Sequence, residues 1–170
     1  LTGFSVRKNP INSLPPGFFG NAPALKSISW EEDKCKMQNR TMPSGMLNGV
    51  DNLIEFNYSQ HHVDSCHLII EESAFFNAYD TMQELKISNT KLGSEKLIEQ
   101  LARHFTNLTK LSLENNEIQA VNPEIFPKNI RQLKIGHNPF MCNCASISAL
   151  KILMKKVQLT DIKYVKLSNC

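Results

Sequence analysis

The stretch IRQLKIGHNPFMCNC, residues 130–144, decides the fold of this 170-residue chain. Leu133 and Ile135 alternate with polar residues, as in a short strand with one buried face. Asn138 follows where a turn is needed, and the stretch ends in two cysteines, Cys142 and Cys144. The same order of apolar residues and a turn residue recurs upstream, so the sequence predicts stacked repeats that end in a cysteine-containing cap.

The repeats share the pattern L-x-x-L-x-L-x-x-N-x-L, which matches the chain six times. The matches start near residues 1, 25, 53, 82, 108 and 130, so successive repeats are 24, 28, 29, 26 and 22 residues long. This pattern is that of leucine-rich repeats, and it predicts an α/β solenoid: a horseshoe with a parallel concave β-sheet. We place the repeats at residues 1–138 and an incomplete cysteine-rich C-terminal cap at residues 139–170.

Two amphipathic stretches predict helices outside the sheet. Ser94 can cap a helix in which Leu97, Leu101 and Phe105 recur every four residues. The second stretch, residues 147–157, has the apolar spacing of a helix that covers the final repeat.

Charge and composition exclude several classes of function. A net charge of +3 is too small to indicate binding to nucleic acid or to an anionic membrane. No apolar run approaches the roughly 18 residues that a membrane span needs. The chain begins within a repeat, at the core position of Leu1, so we expect apolar surface at this end and a longer array before it.

Catalytic and metal-binding motifs are missing from the sequence. It has no nucleophile elbow, no phosphate-binding glycine loop and no zinc-protease helix, so we predict neither an enzyme nor a cofactor. His61, His62, Cys66 and His67 are ligand types, but they follow no zinc spacing, and we predict no metal site.

Cysteines and glycosylation motifs indicate passage through an oxidising secretory pathway. Cys35 and Cys66 lie in successive long repeats, and we predict a disulfide between them, with separate thiols as the alternative. The insertions that carry them, near residues 34–40 and 64–72, are candidate contact loops or simply accommodate that disulfide. Three sequons predict N-glycosylation at Asn39, Asn57 and Asn107.

The concave face should carry the side chains between the buried strand positions. We expect Glu32, Gln60 and Ser88 among them. The candidate protein-binding residues on this face are Arg131, Lys134, His137, Lys110, Glu114, Lys86 and Glu84. The face is polar and lacks aromatic anchors, so the alternative is a solvated sheet without a ligand. A sugar on Asn57 would lie on the same face and obstruct it.

The repeats together with the cap motif Asn138-Pro139-Phe140-x-Cys142-x-Cys144 resemble the ectodomain of a Toll-type receptor. Irregular repeat lengths and the ending KLSNC, residues 166–170, are most similar to invertebrate Toll. The family's cap pairs four cysteines, first with third and second with fourth. The resemblance thus implies a Cys142–Cys170 disulfide and a partner for Cys144 outside the chain. The alternatives are that Cys144 bonds Cys170 or pairs between molecules.

The same resemblance implies the extracellular portion of a cell-surface receptor in immunity or development. Its partners would be a protein ligand, namely a cystine-knot cytokine of the Spätzle type, and a second receptor in a homodimer or heterodimer. Contact with a membrane would require a segment absent here. Because of Asn57 and the missing aromatic anchors, we favour support of dimerisation over ligand capture. The alternative is a secreted leucine-rich-repeat immune or matrix protein that acts as a binding scaffold.

Overall fold

A parallel β-sheet runs along the solenoid, with one strand from each repeat. A computed structural model describes residues 1–9, 11, 14–33, 39–61, 67–92, 98, 103–159 and 166–168, without the side chains of 158–159 and 166–168. Its strands are β1 (Gly3–Arg7), β2 (Ser27–Glu32), β3 (Asn39–Met42), β4 (Glu55–Gln60), β5 (His67–Ile70), β6 (Glu84–Ser88), β7 (Lys110–Ser112), β8 (Gln132–Lys134), β9 (Pro139–Met141), β10 (Gln158–Leu159) and β11 (Lys166–Ser168). Within these residues, the main sheet has the order β1-β2-β4-β6-β7-β8-β10.

The register of the sheet aligns the same pattern position of every repeat. The aligned column is Phe4, Ile28, Phe56, Leu85, Leu111 and Leu133. The members from Ile28 to Leu133 are almost fully buried, and the intervening side chains are partly or fully exposed. Alternation with a period of two thus places one face of each sheet strand from β2 to β8 in the core. The predicted leucine-rich-repeat solenoid with a parallel sheet is confirmed.

The return segments stack closely behind the sheet. Two 3₁₀ helices, Phe76–Ala78 and Pro123–Ile125, lie on this convex side. Gly49 has a φ of 82°, and a Cβ atom there would lie 2.7 Å from the carbonyl oxygen of Gly20. Neighbouring repeats therefore touch through their backbones, which only glycine permits at this point.

Buried asparagine side chains form hydrogen bonds with backbone amides and carbonyls at the points where the chain leaves the sheet in repeats four to six. The Asn116 Oδ1 atom accepts hydrogen bonds from the amide of Thr90 at 3.1 Å and from its hydroxyl at 2.6 Å. The Asn138 Oδ1 atom accepts from the amides of Asn116 and Ile118, both at 3.1 Å. Their amide groups donate to backbone oxygens, including that of Ile87 at 3.0 Å. Water cannot reach these backbone groups, so the asparagine side chains serve as their hydrogen-bond partners. We call this arrangement the asparagine ladder, since it links neighbouring turns.

The residue before the ladder position adopts the left-handed conformation. The four non-glycine residues with positive φ in the described chain all occupy pattern position eight; they are Lys8, Asn89, Asn115 and His137. Asparagine tolerates this conformation better than most residues do. Position eight is therefore the point at which the chain leaves the strand in these repeats.

Repeats two and three do not turn at this position. Glu32 and Gln60 instead end six-residue strands and are 2% and 1% exposed. We expected them and Ser88 among the side chains of the concave face, but all three are buried. Continued alternation after Trp30 and Tyr58 directs Glu32 and Gln60 inward, while Ser88 is buried at the end of β6.

A buried ion pair lies where the strand of repeat two ends. The Arg40 Nε atom lies 2.9 Å from Glu32 Oε1, and the Tyr58 hydroxyl donates to Glu32 Oε2 at 3.0 Å. Gln60 donates to that hydroxyl at 3.0 Å, and the Arg40 guanidinium lies 5.9 Å from the centre of the Trp30 ring. Arg40 belongs to β3, which pairs in parallel with β5 from the next insertion. The network therefore ties the inserted two-stranded sheet to the main sheet.

Burial governs the protonation of this network. It raises the pKa of the Glu32 carboxyl above its usual value, while Arg40 and the hydrogen bonds from Tyr58 and Arg40 act in the opposite direction. Burial and the nearby Glu32 also raise the pKa of the Tyr58 phenol. The folded state binds the Glu32 proton more tightly than the unfolded chain does. The contribution of Glu32 to stability therefore declines as pH rises from about 4.5 through its folded pKa.

Helix α1 (Cys144–Lys156) covers the last repeat, which confirms the second predicted helix. The Asn143 side chain caps it by accepting from the Ser146 amide at 2.8 Å. Leu150 and Leu153 are buried, and Lys156 donates to the Pro123 carbonyl at 3.1 Å. The boundary between repeats and cap after residue 138 stays a prediction. The first predicted helix lies largely outside the described residues, although residues 98, 103 and 104 within it are helical.

Replacing Asn116 with alanine should strongly destabilise the fold. The change leaves the Thr90 amide and the Ile87 carbonyl buried without their partner, so we expect the free energy of unfolding to fall by about 3 kcal/mol. Urea unfolding followed by circular dichroism measures it. The control is Asn129→Ala, because Asn129 is exposed and its side-chain amide donates to the Thr106 carbonyl of the preceding repeat at 2.7 Å. Equal losses in both variants would contradict a structural ladder.

Replacing Arg40 with methionine should destabilise the protein in a pH-dependent way. Glu32 then stays buried without its cation, so unfolding at neutral pH should cost about 3–5 kcal/mol less. Protonation of Glu32 relieves this penalty, and the loss should shrink near pH 4.5. Urea unfolding at both pH values tests this. The control is Arg7→Met, because Arg7 is exposed and lies 3.8 Å from the partly buried Glu31, and we expect a change below about 0.5 kcal/mol. A loss independent of pH would refute the role of Glu32.

Candidate functional site

Five of the seven candidate protein-binding residues surround one shallow pocket on the concave face. The pocket has a volume of about 190 Å³ and spans strands β6, β7 and β8. The candidates that line it are Glu84, Lys86, Lys110, Glu114 and Lys134. The parallel register brings them together, because it aligns Lys86 with Ser112 and Ser112 with Lys134.

A serine at the centre of the aligned row creates the pocket. Ser112 is small, whereas Lys86 and Lys134 on either side are long, and two strand spacings of about 4.8 Å separate them. Lys110 pairs with Glu84 at 3.0 Å, and the Ser112 hydroxyl donates to Glu114 at 3.1 Å. The pocket thus presents both signs of charge within a few ångströms. Such a surface can recognise a charged protein segment by complementarity.

The other two candidates lie outside this pocket. Arg131 lines a second depression at the edge of the sheet, together with Lys110, Gln83, Asn107 and Thr109. His137 is exposed at the left-handed turn that follows β8, with a φ of 57°. A protein-binding role for any of the seven residues stays a prediction.

The three sequon asparagines lie at different positions on the solenoid. Asn57 is central in β4 on the concave face, and its amide donates to Glu55 at 2.6 Å. Asn107 is exposed at the second depression and donates to the Asp80 carbonyl at 2.6 Å. Asn39 is exposed at the start of β3. Glycosylation of the three residues stays a prediction, and a sugar on Asn57 would occupy the concave face.

The cysteines of the cap differ in their bonding. Cys142 is disulfide-bonded, and Cys144 is an exposed free thiol at the start of α1. Strands β9 and β11 pair in parallel just before Cys142 and Cys170 respectively. Cys170 itself lies outside the described residues, so its pairing with Cys142 stays a prediction. The predicted Cys35–Cys66 disulfide also lies outside them.

The described part of the chain has neither a cluster of metal ligands nor a membrane-spanning helix. No group of three His, Cys, Asp or Glu side chains there could hold a metal ion. His62 and Cys66, from the cluster noted in the sequence, are not described. No helix in the same part is long and apolar enough to cross a membrane.

The sequence reading missed an aromatic cluster on the convex side. Phe76 is 67% exposed, and its ring centre lies 6.0 Å from that of Tyr79. The Tyr79 ring stacks on His104 at 4.8 Å. We call Phe76, Tyr79 and His104 the convex aromatic patch. The adjacent pair Phe75-Phe76 was a partial signal, since one of two neighbouring rings must point away from the core.

Comparisons with known proteins agree with the fold. Residues 107–129 match the Leucine Rich Repeat family, and no curated protein matches the chain. A chain of the Drosophila Toll–Spätzle complex is similar, with 19% identity, a TM-score of 0.64, and coverage of 83% of this chain and 18% of that one. Human 5T4 (Wnt-activated inhibitory factor 1, trophoblast glycoprotein) is similar at 14% identity and a TM-score of 0.53, covering 94% and 68% respectively. The chain therefore spans only 18% of the first of these structures and has the leucine-rich-repeat fold that both contain.

Proposed function

We propose that this chain is an extracellular leucine-rich-repeat scaffold that binds a protein, as part of a Toll-type receptor in immunity or development. The carrying observation is the mixed-charge pocket that three aligned strands form on the concave face. Similarity to a chain of the Toll–Spätzle complex supports the receptor reading. The parallel sheet supports a protein-binding role, since it holds the charged side chains at fixed spacings.

The ligand we propose is a cystine-knot cytokine of the Spätzle type. The Drosophila structure is a complex of Toll with Spätzle, and that pairing motivates the ligand class for this chain. The contact would lie over β6 to β8, beside β4, where Asn57 is aligned with Lys86, so a sugar on Asn57 would border the pocket.

A second candidate function is support of a receptor homodimer or heterodimer. Two observations motivate this role. A glycan on Asn57 would narrow the concave face, and the concave pocket has no aromatic lining residues. A secreted immune or matrix scaffold, without signalling, is the alternative to a receptor. Human 5T4 shares the fold, so the fold itself favours none of these roles.

Reversing two pocket charges should weaken binding of a Spätzle-type cytokine. Lys86→Glu with Lys134→Glu replaces both lysines beside Ser112, and we expect about tenfold lower affinity from the lost complementarity. Surface plasmon resonance on the secreted, glycosylated protein measures it. The control, Lys128→Glu with Lys151→Glu, makes the same charge change at exposed positions outside the pocket.

The outcomes separate the two candidate functions. Unchanged cytokine affinity in the pocket variant would exclude the pocket as the ligand contact. If cytokine-dependent dimerisation in sedimentation velocity were then lost in the same variant, dimer support would replace ligand capture. Absence of cytokine binding by the unaltered protein would contradict the ligand class.

A further inference from the structure

The convex aromatic patch is an ordered surface that the concave site does not use. Phe76 belongs to the 3₁₀ helix Phe76–Ala78, and Tyr79 follows it directly. The Tyr79 and His104 rings are nearly parallel, at 15°, whereas the Phe76 ring meets Tyr79 at 72°. Exposed apolar residues that are scattered singly need no explanation, but three rings joined through Tyr79 form a patch.

Buried rings hold the patch in place from below. The Tyr79 ring packs edge-on against Phe105 at 5.3 Å, and Phe105 packs against Phe75 at 5.9 Å. Phe75 and Phe105 are each 1% exposed. The Tyr79 hydroxyl also donates to the carbonyl of Glu72 at 2.6 Å, which fixes the ring from its outer end. A partner would therefore meet a pre-organised surface, and binding would cost little side-chain entropy.

Three carboxylates lie near the segment that carries Phe76 and Tyr79. Asp51 accepts a hydrogen bond at 2.8 Å from Asn77, the residue after Phe76. Asp80 adjoins Tyr79 in the chain, and Glu72 lies close enough to add to the effect of burial in raising the pKa of the Tyr79 phenol. All three carboxylates are exposed, and Arg103 is the cation next to His104 in the chain. The patch thus has an aromatic centre and an acidic rim, the arrangement of a protein interface with a polar border.

We propose that the convex aromatic patch docks a protein segment that presents an arginine side chain. A planar guanidinium can stack on the exposed Phe76 ring and donate hydrogen bonds to rim carboxylates at the same time. Lysine stacks on an aromatic ring only weakly, because its ammonium is compact and strongly hydrated. The surface lies on the side of the solenoid opposite the concave pocket, so it could be occupied while the pocket binds its ligand.

An NMR titration of the uniformly ¹⁵N-labelled protein with capped hexa-arginine tests this docking. We expect the amides of Phe76, Asn77, Tyr79 and His104 to shift first and to give a common dissociation constant. Hexalysine should bind there about threefold to tenfold more weakly, and hexaglutamate should leave these amides unchanged. Phe76→Ser should weaken hexa-arginine binding about tenfold. Because Phe76 is largely exposed, the variant should keep a dispersed, folded spectrum.

The matched control is Ile152→Ser, which removes a 48% exposed apolar side chain from α1 and should bind hexa-arginine like the unaltered protein. Equal affinity of Phe76→Ser and the unaltered protein overturns the proposal, as do shifts spread evenly over remote carboxylates such as Glu117 and Glu124. Concentration-dependent shifts at the patch without peptide would assign it to a second copy of the chain and also overturn it. None of these readouts depends on whether the concave pocket binds a cytokine.

Discussion

The structure depends on satisfying buried backbone groups where each strand leaves the sheet. At that point the chain must turn toward the convex side, and its amides and carbonyls face neighbouring repeats instead of water. Asn116 and Asn138 meet this constraint with both ends of their side-chain amides. Asn116 serves the preceding turn, whereas Asn138 serves its own turn and the preceding one. Their spacing along the solenoid sets the register of β6, β7 and β8, and hence the row in which Lys86, Ser112 and Lys134 stand.

Repeats two and three meet the same constraint differently, because their strands continue for one more position and the His61 amide donates to the Glu32 carbonyl at 2.8 Å. The buried side chains at these strand ends join a charged network of Glu32, Arg40, Tyr58 and Gln60. A buried charge is tolerable only when paired, and here the cation comes from the insertion itself. The longer repeats are therefore built into the core and anchor the second sheet, β3 with β5.

The sequence predicted the parts that repeat and missed those that depart from the pattern. Leu111, Leu113 and Asn116 carry the pattern intact, and their burial and turn follow from it. Glu32 was wrongly assigned to the concave face because the pattern assumes a turn at position eight. In β2 the alternation of buried and partly exposed side chains instead continues through that position. The pocket residues could be named from their positions in the strands. Their grouping around one pocket could not be predicted, because it requires the register of the neighbouring strands. The Tyr79–His104 stacking could not be foreseen, since the repeat pattern specifies no aromatic residues at these positions of the return segments.

Two surfaces of different character result from this construction, a mixed-charge concave pocket and an acidic-rimmed aromatic patch on the convex side. Both depend on turns that stay closed, so amide hydrogen exchange at those turns is the most direct measurement. The account predicts that the amides of Thr90, Asn116 and Ile118, which donate to asparagine side chains, exchange as slowly as that of Leu111 within β7. Rapid exchange at these three amides, with slow exchange in the strands, would contradict the ladder as the element that holds the solenoid together.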